Sequence, residues 1–165
     1  MRDAKNQNLK NILSLSEEKL HVLGEILHIA LKIKDEADKA CRTDDDDNAD
    51  DAIENIASFV GSREELFEQV NNIELSLKHY GAQLCAQDQE TVGELERIEQ
   101  TVGAEIKIVV ENIKAADETN SQKIAELMEI IKAKIKAVKG NRALMDRYVG
   151  DNEVPSAGTL LSEKK

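Results

Sequence analysis

The chain has 165 residues, enough for one domain or one extended bundle; 33% are charged, 41% hydrophobic and only 2% aromatic. One proline and no tryptophan leave too little turn punctuation and aromatic bulk for a β-sandwich or an α/β domain of this size. A net charge of −11 argues against a phosphate-reading nucleic-acid protein and against an anionic membrane surface as partner.

The opening Met1-Arg2-Asp3-Ala4-Lys5 lacks the apolar run of a signal peptide. No uncharged stretch approaches the ~20 apolar residues that a membrane span needs. Cys41 and Cys85 match no ligand spacing. The expectation is a cytoplasmic protein with both thiols free.

Ala, Glu, Lys, Leu and Ile dominate, the palette of long helices. From Leu9 to Ile33 the apolar residues fall in two adjoining stripes when each is advanced about 100° around a wheel. Leu9, Leu13, Leu20, Leu23, Leu27 and Leu31 form one; Ile12, Leu15, Val22, Ile26, Ile29 and Ile33 form the other. Together they cover about 200°, twice the arc of an ordinary surface helix. A first helix over 5–42 therefore sits against two neighbours or reserves a stripe for a partner, with Ile26, Ile29 and Ile33 the candidate contacts.

Glu18-x-x-His21 and Glu25-x-x-His28 have the spacing that bundle di-iron sites use. Those sites draw the units from different helices, whereas these two share one helix and point away from both stripes, so no metal is expected. Residues 43–51 hold six Asp and read as a solvated loop whose last acids complement the next helix start. No register of 44–55 supplies the glycine and glutamate of a calcium loop.

Ile53, Ile56, Ala57 and Val60 make the next apolar face. Gly61 interrupts it, and Ser62-Arg63-Glu64-Glu65 has the form of a capping box. A helix over 50–80, kinked near 61, is expected, with Gly81 as the next break. Leu84, Val92, Leu95, Ile98, Val102, Ile106, Val109, Val110, Ile113 and Ala116 then share one arc of about 120°. Gly93 and Gly103 inside it each cost about 1 kcal/mol against Ala.

The same phase resumes at Ile124, Leu127, Met128, Ile131, Ile135, Val138, Met145 and Val149. Between them Asp117 and Asn120 fall on the apolar arc. An unbroken helix over 84–149 would be about 100 Å long, so the expectation is two helices, 83–117 and 120–149, with a break near 117–121. A side row, Ile130, Ala137, Leu144 and Tyr148, lies about 100° from the main stripe and is the second candidate partner face. Lys132, Lys134, Lys136, Lys139, Arg142 and Arg147 make this stretch basic in an acidic chain. Residues 150–165 read as a mobile tail after a single domain over 1–149.

The fold class is thus all-α: an antiparallel bundle of three to four long amphipathic helices with a mobile C-terminal tail. No phosphate-cradling loop, nucleophile elbow or Cys/His pair with an orienting third group is present. The expectation is a protein that is not an enzyme and uses no cofactor.

Asn120-Ser121-Gln122-Lys123-Ile124, an amphipathic run, and then Met145-Asp146-Arg147-Tyr148-Val149-Gly150 resemble the C-terminal half of FlgN/FliT-type flagellar export chaperones. In that family an Asn-rich step opens a helix that ends near a Tyr before a tail. Arg63-Glu64-Glu65-Leu66 is similar to the family's Arg-Glu-x-Leu step, and Leu160-Leu161-Ser162-Glu163-Lys164-Lys165 to the ending of some members. The Asp run, and Ser121 where glycine is frequent, depart from the pattern.

The resemblance implies a cytoplasmic, non-catalytic chaperone for type III protein export. It would bind the C-terminal helix of a hook-associated or filament-cap subunit, prevent premature assembly and deliver the subunit to the export ATPase complex. The family places client contact on the stretch from Ile124 to Tyr148. Two other classes stand beside it. One is a structural or signalling coiled-coil module whose stripes are satisfied by self-association, as in a homodimer; the other is a carboxylate-bridged metal enzyme.

Overall fold

The computed structural model describes the backbone of residues 2–42, 46–84 and 89–150, and among these no strand occurs. Helix α1 spans Arg2–Arg42, α2 Asp46–Gln83 and α3 Gln89–Ile98. A five-residue π-helical turn, Glu99–Gly103, joins α3 to α4, Ala104–Gly150. The all-α class with three long helices is what the wheels predict. The expected tail beyond Gly150, and Cys85, lie outside the described residues. By internal packing the chain divides into two units, Met1–Leu127 and Met128–Lys165.

In the first unit, three polar ties fix α2 antiparallel to α1. Asn8 Nδ2 donates to Gln83 Oε1 at 3.2 Å, Lys19 Nζ to Glu74 Oε1 at 2.9 Å, and Asn55 Nδ2 to Glu36 Oε2 at 3.4 Å. The third rod of the bundle, α3 followed by α4, runs parallel to α1. Near its start Lys5 Nζ lies 3.7 Å from Glu90 of α3, and further along Lys123 Nζ of α4 lies 3.3 Å from Asp38.

The core sits where the three rods meet. Val22, Leu23 and Ile26 of α1, Val70 and Ile73 of α2, and Ile113 of α4 form one buried cluster. Leu15, Leu27, Leu66, Leu77, Ile106, Val109 and Val110 pack around it. Most of the doubled stripe of α1 is thereby accounted for, since α2 covers it on one side and α4 on the other, while Leu13 and Leu31 of the leucine stripe stay exposed. Farther along α1 most of the buried residues are small. Ala30, Ala37 and Ala40 are buried alongside Ile33, as are Ala52 of α2 and Ala116 of α4, and small side chains let packed helix axes draw closer.

The structure corrects three boundaries. First, α2 is not interrupted at Gly61. It runs unbroken from Asp46 to Gln83, also passing Gly81. Ser62 Oγ donates to Ser58 O at 3.1 Å, so this hydroxyl bonds back one turn within a continuous helix and caps nothing. Second, α2 begins inside the acidic run, at Asp46. Acidic residues in a first turn are favoured by the helix dipole, which extends the helix into what reads as loop.

The third correction is the largest. No break occurs at 117–121; α4 is helical throughout. The irregularity in this rod lies earlier, at Glu99–Gly103. There Thr101 Oγ1 donates to Arg97 O at 2.9 Å and Ile98 O at 3.3 Å, back-bonding of a kind that often bends helices.

Candidate functional site

The polar residues that suggested a break are held by the other two helices. Asp117 Oδ2 accepts from Arg63 Nη2 of α2 at 2.6 Å. Asn120, only 5% exposed, donates Nδ2 to the carbonyl of Ala30 in α1 at 2.9 Å. Arg63 also stacks on Phe67, its Cζ 5.2 Å from the ring centroid. Arg63 Nε, Asp117 Oδ1 and Asn120 Oδ1 are buried without a partner. A buried polar layer of this kind favours one helix register over its slipped alternatives, at some cost in stability. It is structural, and sequence reasoning missed it. The signal was present, because two polar residues on an apolar arc demand partners as readily as they demand a turn.

One helical turn on, Lys123 Nζ bridges Asp38 at 3.3 Å and Glu126 at 3.2 Å. These carboxylates hold its ammonium above the usual lysine value, chiefly through the hydrogen bond to Glu126. Cys41 is half-buried with Sγ 3.9 Å from Lys123 O. Burial pushes its thiol up, and the nearby Glu126 carboxylate adds to the effect. The thiolate is the reactive form, so this environment works against nucleophilic chemistry at Cys41.

Glu18, His21, Glu25 and His28 all lie on the exposed face of α1, with His21 Nε2 3.8 Å from Glu25 Oε1. Among the described residues no three His, Cys, Asp or Glu side chains converge as metal ligands. A shallow groove between α1 and the π-helical turn is lined by Ile12, Ser16, Leu95, Ile98 and Glu99. Ser16 Oγ is spent on Ile12 O at 2.8 Å, so its hydroxyl proton is not offered to the groove. None of the described helices is long and apolar enough to cross a membrane.

The two expected partner rows fare differently. Ile26 and Ile33 are 0% and 2% exposed, and Ile29 is half-buried. The α1 row thus faces the interior, because the neighbouring helices cover the stripe that holds it, and a partner could reach Ile26 or Ile33 only by opening the bundle. In the second unit Ile130 is half-buried and Ala137 exposed, and Leu144 is 54% exposed. Tyr148 stands on α4, and its side chain lies outside the described residues.

The same unit also exposes residues of the main stripe. Met128, Ile135, Val138 and Met145 are exposed, the last two at 66% and 68%. They continue the phase of the bundle stripe, and periodicity alone cannot say where a stripe stops being covered. Exposed bulky apolar side chains recurring along one helix are a mark of an interaction surface. Among cations on this stretch, Lys132 Nζ bonds Glu129 at 2.7 Å, while Lys136, Lys139 and Arg142 are exposed.

Comparison with known proteins gives no match: no family model fits the chain, and no curated protein or solved structure is similar to it.

Proposed function

We propose that this chain is a non-catalytic, cytoplasmic helix-binding protein, and specifically a flagellar export chaperone of the FlgN/FliT type. Its client is the C-terminal helical segment of a hook-associated or filament-cap subunit, held unpolymerised and delivered to the export ATPase complex. The observation that carries the helix-binding part is the apolar surface on residues 128–145, where Met128, Ile135, Val138, Leu144 and Met145 are all exposed. An amphipathic client helix buries its apolar face on rows of this kind. The flagellar identity of the client rests on the sequence resemblance alone.

Co-expression with C-terminal segments of flagellar subunits, followed by size-exclusion chromatography, tests the reading. A complex with one such segment is expected. No binding, together with a stable self-oligomer, would favour the structural coiled-coil module instead.

A further inference from the structure

Positions 113, 117, 120, 124 and 127 of α4 follow alternating steps of four and three, the spacing of a packed seam. They are Ile113, Asp117, Asn120, Ile124 and Leu127. The bundle shows how a charge in that seam is accommodated. Asp117 takes a hydrogen-bonded opposite charge, Arg63, from the helix packed against it.

Positions 128, 131, 135, 138, 142 and 145 repeat the same spacing. They are Met128, Ile131, Ile135, Val138, Arg142 and Met145. Five are apolar; the charged one is Arg142, and it is exposed. A helix docked along this seam would desolvate the guanidinium, which is costly unless a carboxylate meets it. Lys132 and Lys139 stand at the flanking positions that set partner choice in paired helices. Over 128–150 six cations face only two acids, Glu129 and Asp146, in a chain whose net charge is −11.

We infer that the seam from Met128 to Met145 docks an acidic amphipathic helix of a partner protein, with a carboxylate set opposite Arg142 and further acids beside Lys132 and Lys139. This rests on the helix-binding part of the proposed function and narrows the partner's chemistry. A second copy of the same segment is disfavoured, since its cations would meet their own kind. An anionic bilayer would attract the same cations but supplies no fixed carboxylate for Arg142.

The test titrates the full chain into three labelled synthetic helices that share one leucine face and differ in their polar face, which is Glu, Gln or Lys. Fluorescence anisotropy reads the affinities, and anionic phosphatidylglycerol vesicles form a fourth arm. The Glu helix is expected to bind about tenfold or more tighter than the Gln helix at low salt, with the gap narrowing as salt screens the flanking pairs. Arg142→Glu should weaken the Glu helix most and bring its affinity close to that of the Gln helix. Arg142→Met should tighten the Gln helix and shrink the preference for Glu, with helicity unchanged.

Equal affinities, or a preference for the Lys helix, would overturn the acidic partner while leaving helix binding intact. Failure of all three helices would overturn both. Vesicle binding without helix binding, or a dimer of the chain that excludes the helices, would assign the seam to a bilayer or to a second copy and overturn the inference.

Discussion

Asn120 of α4 donates its amide to the backbone carbonyl of Ala30 in α1, 2.9 Å away and 90 residues distant in sequence. The acceptor is a carbonyl within a continuous helix, so it serves Asn120 in addition to its own turn; a carbonyl has two lone pairs and can do both. With the Arg63–Asp117 pair beside it, this bond fixes how far α4 is slid along its two neighbours.

The Arg63–Asp117 contact is testable by a double-mutant cycle. Arg63 is mostly covered and Asp117 less so, with side chains 16% and 42% exposed. Arg63→Met should cost about 1–2 kcal/mol in urea unfolding, because the half-buried Asp117 carboxylate loses its partner. Adding Asp117→Leu should recover most of that loss. Additive losses would mean that the two residues act independently.

Asn120→Leu separates register from stability. Replacing a polar seam residue by an apolar one of similar size should leave stability the same or raise it, while admitting slipped registers. Spin labels at the exposed positions 25 and 118 read this directly. The wild-type background should give one narrow distance distribution, and the variant a broadened or double one. A variant that is both less stable and singly registered would show that Asn120 serves stability alone.

Much of this arrangement was legible in the residues. The wheels gave the helical class and the double stripe of α1, and most of that doubling is explained by α2 and α4 packing on either side. What misled was reading each segment alone. Asp117 and Asn120 break an apolar face locally, and only the residues opposite them, Arg63 and the Ala30 carbonyl, turn that break into a packed layer. Gly61 and Ser62 look like a stop and a cap, yet tertiary packing on both sides of the pair keeps α2 helical. The two candidate rows differ in exposure. Leu144 and Ala137 are exposed as the side row requires, but Ile26 and Ile33 were spent on the core. Met128, Ile135, Val138 and Met145 share their phase with buried residues, so no wheel could tell them apart.

Acid should weaken the fold through Glu36 of α1. Its hydrogen bond from Lys39 at 2.5 Å, aided by one from Asn55, holds its carboxyl below the ordinary 4.5. A carboxyl lowered on folding stabilises the native state above its unfolded value, and that contribution is lost as pH falls through the folded value. Unfolding followed from neutral pH to below 4.5 should therefore show a loss to which Glu36 contributes. Glu36→Gln should be less stable than wild type at neutral pH, and its profile should be flatter in that acid window. An unchanged slope would remove Glu36 from the account.

The most direct test of the central claim, that the face from Met128 to Met145 binds a partner helix and does not serve as core, is one paired measurement on Val138→Glu/Met145→Glu. Both residues are more than half exposed, and exposed substitutions commonly change stability by about 0.5 kcal/mol or less. The prediction is a variant with wild-type helicity and a nearly unchanged urea midpoint that no longer binds the client or the acidic helix. A variant that unfolds would place these side chains in a core, and one that still binds at wild-type affinity would place the docking face elsewhere; either result would contradict the account.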